Sequence, residues 1–340
     1  MAERFNKKYR IMWNQNGGEE ASYHPPMTPE KYAQAFLGFL DGTQVDAFVS
    51  GLGWASGYQV IYPTEVEGME FIVDRLESDA PVGTVKDWQY ADNVRRIWEA
   101  GYDPIQLRID EARRLGIDYW AHLHMNDWHH LEVLDGVRNI LSSRFHEERT
   151  DLLIGEEGTE GLPEALRVAM MGFQDYRHDE VRQLRLDVAK EACTRYDLDG
   201  FQYDFMRCPG YFRHGEERDS WPIMTDFMRE TRRAIEGISN SKGKPIGIAA
   251  RVPNTIDGAE RLGLDVQTWV HEGLVDILVP ATLYVADLEE DITEWVDLAA
   301  GSGSQIIPTI EAGYRAGHTG GLTRSFYNPP AILPLDLDMI

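Results

Sequence analysis

Five positions in this 340-residue chain have side chains suited to bond-breaking chemistry. Asp204 closes the run Asp199-Gly200-Phe201-Gln202-Tyr203-Asp204, and Glu311 closes Gln305-Ile306-Ile307-Pro308-Thr309-Ile310-Glu311. Arg251 ends a short apolar run, and His122 and His124 form an H-x-H pair. Two carboxylates facing one cavity can split an acetal linkage, one protonating the leaving oxygen while the other attacks carbon or activates water. An H-x-H pair is instead a familiar spacing for binding a divalent metal. Which chemistry applies depends on the elements that carry these residues.

Seven short runs have the character of buried parallel strands: 9–14 (YRIMWN), 45–51 (VDAFVSG), 118–126 (DYWAHLHMN), 199–205 (DGFQYDF), 245–252 (PIGIAARV), 275–284 (VDILVPATLY) and 305–311 (QIIPTIE). Amphipathic stretches alternate with them. Thr28-Pro29-Glu30 supplies a cap and a first-turn proline. Further helices are predicted over 103–115, 179–195, 222–238, 258–271 and 287–299, with Gly116 and Gly273 as stops.

A strict βαβα order implies a parallel sheet covered by helices. Gly17-Gly18 alone is too weak a phosphate-loop signal for a doubly wound sheet, so the expected fold class is α/β, a (β/α)8-type TIM barrel. Residues 1–340 are expected to form a single barrel domain, with long insertions at about 54–98 and 128–177 after the second and third strands. Both insertions follow C-terminal strand ends, where barrels build their clefts. Only seven strands are counted, and residues 334–340 read as the first turn of another helix, so either an eighth strand is expected beyond the last residue or the barrel is open at that seam.

Strand parity then sorts the side chains, because residues two apart share a face. In the fourth strand Phe201, Tyr203 and Phe205 must meet helices, which turns Gln202 and Asp204 inward. The same rule groups Trp120, His122, His124 and Asn126, then Gly247, Ala249 and Arg251, then Ile307, Thr309 and Glu311. It assigns Thr282 and Tyr284 to the sixth strand's inner face and Asn14 to the first. Unpaired buried carboxylates cost several kcal/mol or more, so convergence of Asp204, Glu311, Arg251 and two histidines predicts a site. The structural alternative is an Arg251–Asp204 salt bridge that plugs the barrel. Trp13, Trp54, Trp128, Tyr284 and Tyr314 are available near the rim to stack on sugar rings.

The stretch Met171-Gly172-Phe173-Gln174-Asp175-Tyr176, the helix ending Arg195-Tyr196-Asp197-Leu198 and the D-G-F-Q-Y-D-F strand together resemble the bacterial glycosyl-hydrolase-like family distantly related to family 10. Residues 264–269 and 273–280 are similar to the same family's passage from strand 5 to strand 6, and the resemblance spans about 104–313. It implies a TIM-barrel O-glycosidase with the strand-4 aspartate in the site. The chain departs from the broad retaining clan, which carries glutamates on strands 4 and 7. An aspartate preceded by tyrosine is similar to the α-galactosidase-like clan, whose acid follows strand 6 and would here be Asp287. The candidate catalytic residues are therefore Asp204 and Glu311, with Asp287 and Asp127 behind them. Asn14, Trp54, His122, His124, Asn126, Gln202, Arg207, Arg251 and Tyr284 are the candidates for substrate contact.

The expected partner is a carbohydrate. With 57 acidic and 33 basic residues, the net charge of -24 repels phosphate backbones and disfavours nucleic acid. No apolar run reaches the roughly 20 residues that span a bilayer, and no membrane partner is expected. Residues 1–8 lack an apolar region behind their basic residues, so a cytoplasmic location is expected unless a leader has been removed. No cofactor is called for, and Cys193 and Cys208 are expected to be ordinary buried or half-buried thiols. Two rivals stand beside the glycosidase: a metal-dependent hydrolase built on His122 and His124, and a carbohydrate-binding barrel without catalysis.

Overall fold

The computed structural model describes residues 4–23, 26–54, 57–76, 85–131, 133–134, 137–282 and 290–311. Within them the apolar runs become one seven-stranded sheet: β1 (Met12–Gln15), β2 (Ala47–Gly51), β3 (Asp118–His124), β4 (Gly200–Asp204), β5 (Gly247–Pro253), β6 (Ile277–Ala281) and β7 (Gln305–Ile306). The spatial order equals the chain order, and every pairing is parallel. Helices fill the connections: α1 (Pro29–Leu37), α2 (Val85–Glu99), α3 (Pro104–Leu115), α4 (Asp179–Arg195), α5 (Trp221–Lys242), α6 (Ile256–Arg261), α7 (Val266–His271) and α8 (Thr293–Ala299).

The sheet has an inside and an outside, each with its own apolar cluster. Outward residues Phe48, Tyr119, Leu123, Phe201, Tyr203, Ile248, Val252 and Leu278 pack with the helices. Inward residues Ala47, Val49, Trp120, Ala249, Ile277 and Val279 pack together with Phe5 and Tyr9, which close the interior from the N-terminal segment. Side chains of β2, β3, β5 and β6 meet in one cluster only if the sheet is curled. Its two ends are also drawn together. Tyr9 donates its backbone N–H to the Gln305 side chain at 3.1 Å, and Lys8 reaches the Gly303 carbonyl at 3.0 Å. This is the α/β fold of the TIM barrel, a curled parallel sheet of seven strands with helices outside.

Local signals account for the helix ends. Asp103 accepts hydrogen bonds from the N–H groups of Ile105 (2.9 Å) and Gln106 (3.3 Å) ahead of Pro104, and Gly116 ends α3 in the left-handed conformation at φ 71°. Three expectations need correction. The helix predicted over 258–271 is two helices, because Gly263 turns at φ 83° and Asp265 caps a new start by accepting from Thr268 N–H. The stretch 54–98 contains the 15-residue α2, whose buried face of Tyr90, Ala91, Val94 and Ile97 is hidden among charged neighbours. On β6 the residues that enter the interior are Ile277 and Val279, while Leu278 packs outward. Thr282 therefore has outward parity, and Tyr284 lies outside the described residues, as do Asp287, Tyr314 and the rest of 312–340. No helix among the described residues is long and apolar enough to cross a membrane. Both cysteines are buried and free.

Candidate functional site

Register stacks the inward side chains of β3, β4 and β5 in layers. Trp120, Gly200 and Gly247 are partners in the lowest layer, His122, Gln202 and Ala249 in the next, and His124, Asp204 and Arg251 at the C-terminal rim. The glycines are required by the tryptophan. A Cβ at Gly200 would stand 2.3 Å from Trp120 Cε3, and one at Gly247 would stand 2.5 Å from Cη2. The indole fills the barrel floor, and the polar layers rise above it.

At the rim, Asp204 is only 2% exposed yet well bonded. Its Oδ1 accepts from the N–H groups of Met206 (2.8 Å) and Arg207 (3.0 Å). Arg251 Nη1 donates to Oδ1 and Oδ2 at 3.2 and 3.1 Å, and its Nη2 donates to Glu311 Oε1. Glu311 follows β7, where Ile307 and Thr309 continue the ladder on β6 through Leu278 O (2.9 Å) and Pro280 O (2.8 Å). The arginine thus bridges carboxylates from two distant segments. The anticipated Arg251–Asp204 salt bridge exists, and Glu311 belongs to it. Burial pushes the Glu311 carboxyl above the usual glutamate range, Arg251 opposes that shift, and the Asp204 charge adds to it.

His122 and His124 lie beside this triad with ring centroids 5.0 Å apart. Burial lowers His122 to about 4 and lowers His124 well below the usual imidazole value, so both rings are neutral at pH 7. Among the described residues, no group of three or more His, Cys, Asp or Glu is arranged to hold a metal ion. Asp127, just past β3, accepts from His129 N–H (2.7 Å) and pairs with His129 Nδ1 (2.5 Å). Burial works against its charge, but the His129 contacts prevail and hold the carboxyl below its ordinary range.

Two other candidates, Asn126 and Trp54, are placed differently from expectation. Asn126 is committed to the loops, donating to Gly210 O (2.6 Å) and accepting from Gln174 N–H (3.0 Å). Trp54 is buried rather than presented at the rim: its backbone N–H donates to Tyr90 Oη (2.9 Å), its ring meets Tyr90 edge-on, and Gly18 backs it. Arg207 is half-buried with its guanidinium 5.9 Å from the Trp128 ring centre, and Asn14 is exposed on the inward side of β1.

Two buried arginines that the sequence reading passed over hold the rim loops. Arg108 of α3 donates to Ser50 Oγ (2.9 Å), Gly51 O (3.2 Å) and Gly17 O (2.7 Å), joining the ends of β1 and β2. Arg185 of α4 donates to Gln174 Oε1 (2.5 Å) and Tyr176 Oη (3.2 Å) and reaches Gly57 O, joining the loops after β2 and β3. The available signal is a cation inside an apolar helix stripe, as in Ile105, Arg108, Ile109 and Ala112.

Fold and site together define a (β/α) barrel with an arginine-bridged pair of carboxylates at its mouth. No family model matches the chain, and no curated protein matches it. Among solved structures, a Paenibacillus sp. cycloisomaltooligosaccharide glucanotransferase complexed with cycloisomaltoheptaose is similar over 89% of this chain and 38% of its own, with a TM-score of 0.52 and 13% identity. This chain thus spans well under half of the glucanotransferase. The PgaB (BpsB) glycoside hydrolase domain from Bordetella bronchiseptica matches over 87% of this chain and 80% of its own, with a TM-score of 0.46 and 10% identity. A family 18 N-acetylglucosaminidase from Paenibacillus barengoltzii matches over 88% and 68%, with a TM-score of 0.40 and 13% identity. The likeness to the glucanotransferase is one of fold. The barrel implied by the family 10-like resemblance is present, while no family model places the chain in that family.

Proposed function

We propose that this chain is a glycoside hydrolase that cleaves O-glycosidic bonds of an oligo- or polysaccharide, with Asp204 and Glu311 as its two carboxylates. The observation that carries this reading is the pair itself, drawn from β4 and from the segment after β7 and held by Arg251. Glu311, with its carboxyl displaced upward by burial, suits the proton donor to the leaving oxygen. Asp204, fixed by two backbone N–H groups and Arg251, suits the group that attacks the anomeric carbon or activates water. Asp127 and Asp287 remain secondary candidates, and the family 10-like assignment and a place in polysaccharide degradation belong to the same proposal. The glucanotransferase that shares the barrel was crystallised with a cyclic oligosaccharide, which agrees with a carbohydrate substrate.

The test is a screen of chromogenic glycosides and polysaccharides read by product chromatography. Release of sugar by the wild type, lost in Asp204→Asn, is the expected result. The engagement of both carboxylates by one arginine favours a second reading, a carbohydrate-binding barrel without turnover. Tight oligosaccharide binding with no product, unchanged in Asp204→Asn, would select it.

A further inference from the structure

Buried polar atoms are nearly always hydrogen-bonded, because an unmet group forfeits the bonds it makes to water. Two side chains in the layer beneath Asp204 break this rule together. His122 and Gln202 are register partners on β3 and β4, and each is 1% exposed. Neither ring nitrogen of His122 and not the Nε2 of Gln202 has a hydrogen-bond partner among the described residues. The imidazole stands in front of Gly51, where a Cβ would lie 2.9 Å from His122 Nε2, and the layer's third member is only Ala249. The layer below differs. Trp120 fills the space that its glycines leave, and its indole N–H donates to Tyr9 Oη at 3.2 Å.

A neutral imidazole has one donor and one acceptor nitrogen, and the Gln202 amide adds donors. This set complements an alcohol, which gives one hydrogen bond and takes others. We infer that His122 and Gln202 form the floor of the sugar pocket and read one hydroxyl of the unit held at Asp204, so that the substrate class is a pyranoside bearing that hydroxyl and not its deoxy counterpart. Inward residues two apart on a strand are about 6.5 Å apart along it, within reach of a substituent on a ring seated at the rim. The inference rests on the glycosidase reading, and its test separates the two.

Wild type, Gln202→Leu and His122→Phe are assayed with 4-nitrophenyl glucoside, galactoside and mannoside and with their singly deoxygenated counterparts. Wild type is expected to prefer one hydroxylated glycoside by on the order of 10⁴–10⁵ in kcat/KM. Both variants should bring that ratio to within about threefold of unity, through loss on the hydroxylated member; a ratio kept by both overturns the inference. Melting temperatures give a readout that needs no turnover. Glucose, galactose or mannose should raise the wild-type Tm and fail to raise that of Gln202→Leu. If no glycoside is cleaved, the glycosidase reading fails while this measurement still judges the floor, and no rise in wild type overturns it. Gln202→Leu without sugar should keep or raise its Tm, since an unpaired amide is removed. A fall of more than about 5 °C would mean that the amide has a structural partner, such as a resident water, and would also overturn the inference.

Discussion

Arg251 faces Asp204 directly across neighbouring strands and places one guanidinium nitrogen on both of its carboxylate oxygens. The other nitrogen holds Glu311, so a single planar cation fixes two carboxylates whose charges would otherwise repel. Such a triad can serve as a structural plug or as a poised acid and base, and substitution separates the two.

In Asp204→Asn the arginine keeps Glu311, and in Glu311→Gln it keeps Asp204. Neither change orphans a buried charge, so each should cost less stability than the roughly 3–5 kcal/mol that a broken buried pair costs. Turnover should fall by about 10²–10⁴ or more in both. Denaturant midpoints and kcat/KM on a cleaved glycoside check this. Full activity combined with a large stability loss would identify the plug.

Arg251→Met removes the cation from both carboxylates at once. At neutral pH the loss should reach about 3–5 kcal/mol. Glu311 is already displaced upward, and without Arg251 the contribution that lowers it disappears, so its carboxyl takes up a proton more readily in the folded state. Protonation relieves the repulsion. The deficit against wild type should therefore be largest near pH 8 and shrink toward about pH 5. Thermal melts of both proteins across that range measure it, and a pH-independent deficit would rule out the carboxylate charges as its origin.

Much of this barrel was legible because buried parallel strands are written as apolar runs, and parity works where one face must be aromatic. Phe201, Tyr203 and Phe205 could face only helices, which turned Asp204 inward. Parity misled on β6, where apolar residues fill both faces, so Thr282 offered no sound guide while Ile277 and Val279 entered the interior. The polar α2 showed too little apolar stripe to be seen. Side-chain commitments were out of reach altogether: Asn126 and Trp54 have site-like chemistry, but long-range partners absorb them. The same distance effect hid Arg108 and Arg185, whose carbonyl partners lie far along the chain.

Trp120 sets the floor on which the site stands, and Gly200 makes room for it. Gly200→Ala would drive a methyl group to 2.3 Å from the indole, an overlap that must be relieved by moving either the ring or the strand that ends in Asp204. The expected cost is about 1–3 kcal/mol, with reduced activity from displaced carboxylates. Trp120→Phe opens the contested space, so the double variant should lose less than the sum of the two single ones. A double-mutant cycle in urea tests this, and strict additivity would show that the two positions do not share the cavity.

The neutral His122 makes the fold sensitive to acid in a defined window. The unfolded chain's imidazole takes up a proton as pH falls through about 6.5, whereas in the folded barrel burial delays protonation to about 4. Protons then bind preferentially to the unfolded state, and stability is lost steadily between those two values, by about 3 kcal/mol for this residue. His124 acts in the same direction. Asp127, held below its ordinary range, contributes only when pH falls below about 4, so the two effects separate. Urea midpoints at about pH 7, 5.5 and 4.5 for wild type and His122→Phe provide the check. The variant's curve should be flatter over this interval, since it has one fewer imidazole to protonate on unfolding. Parallel curves would mean that His122 is already charged in the native barrel, or has found an acceptor there that stabilises its cation.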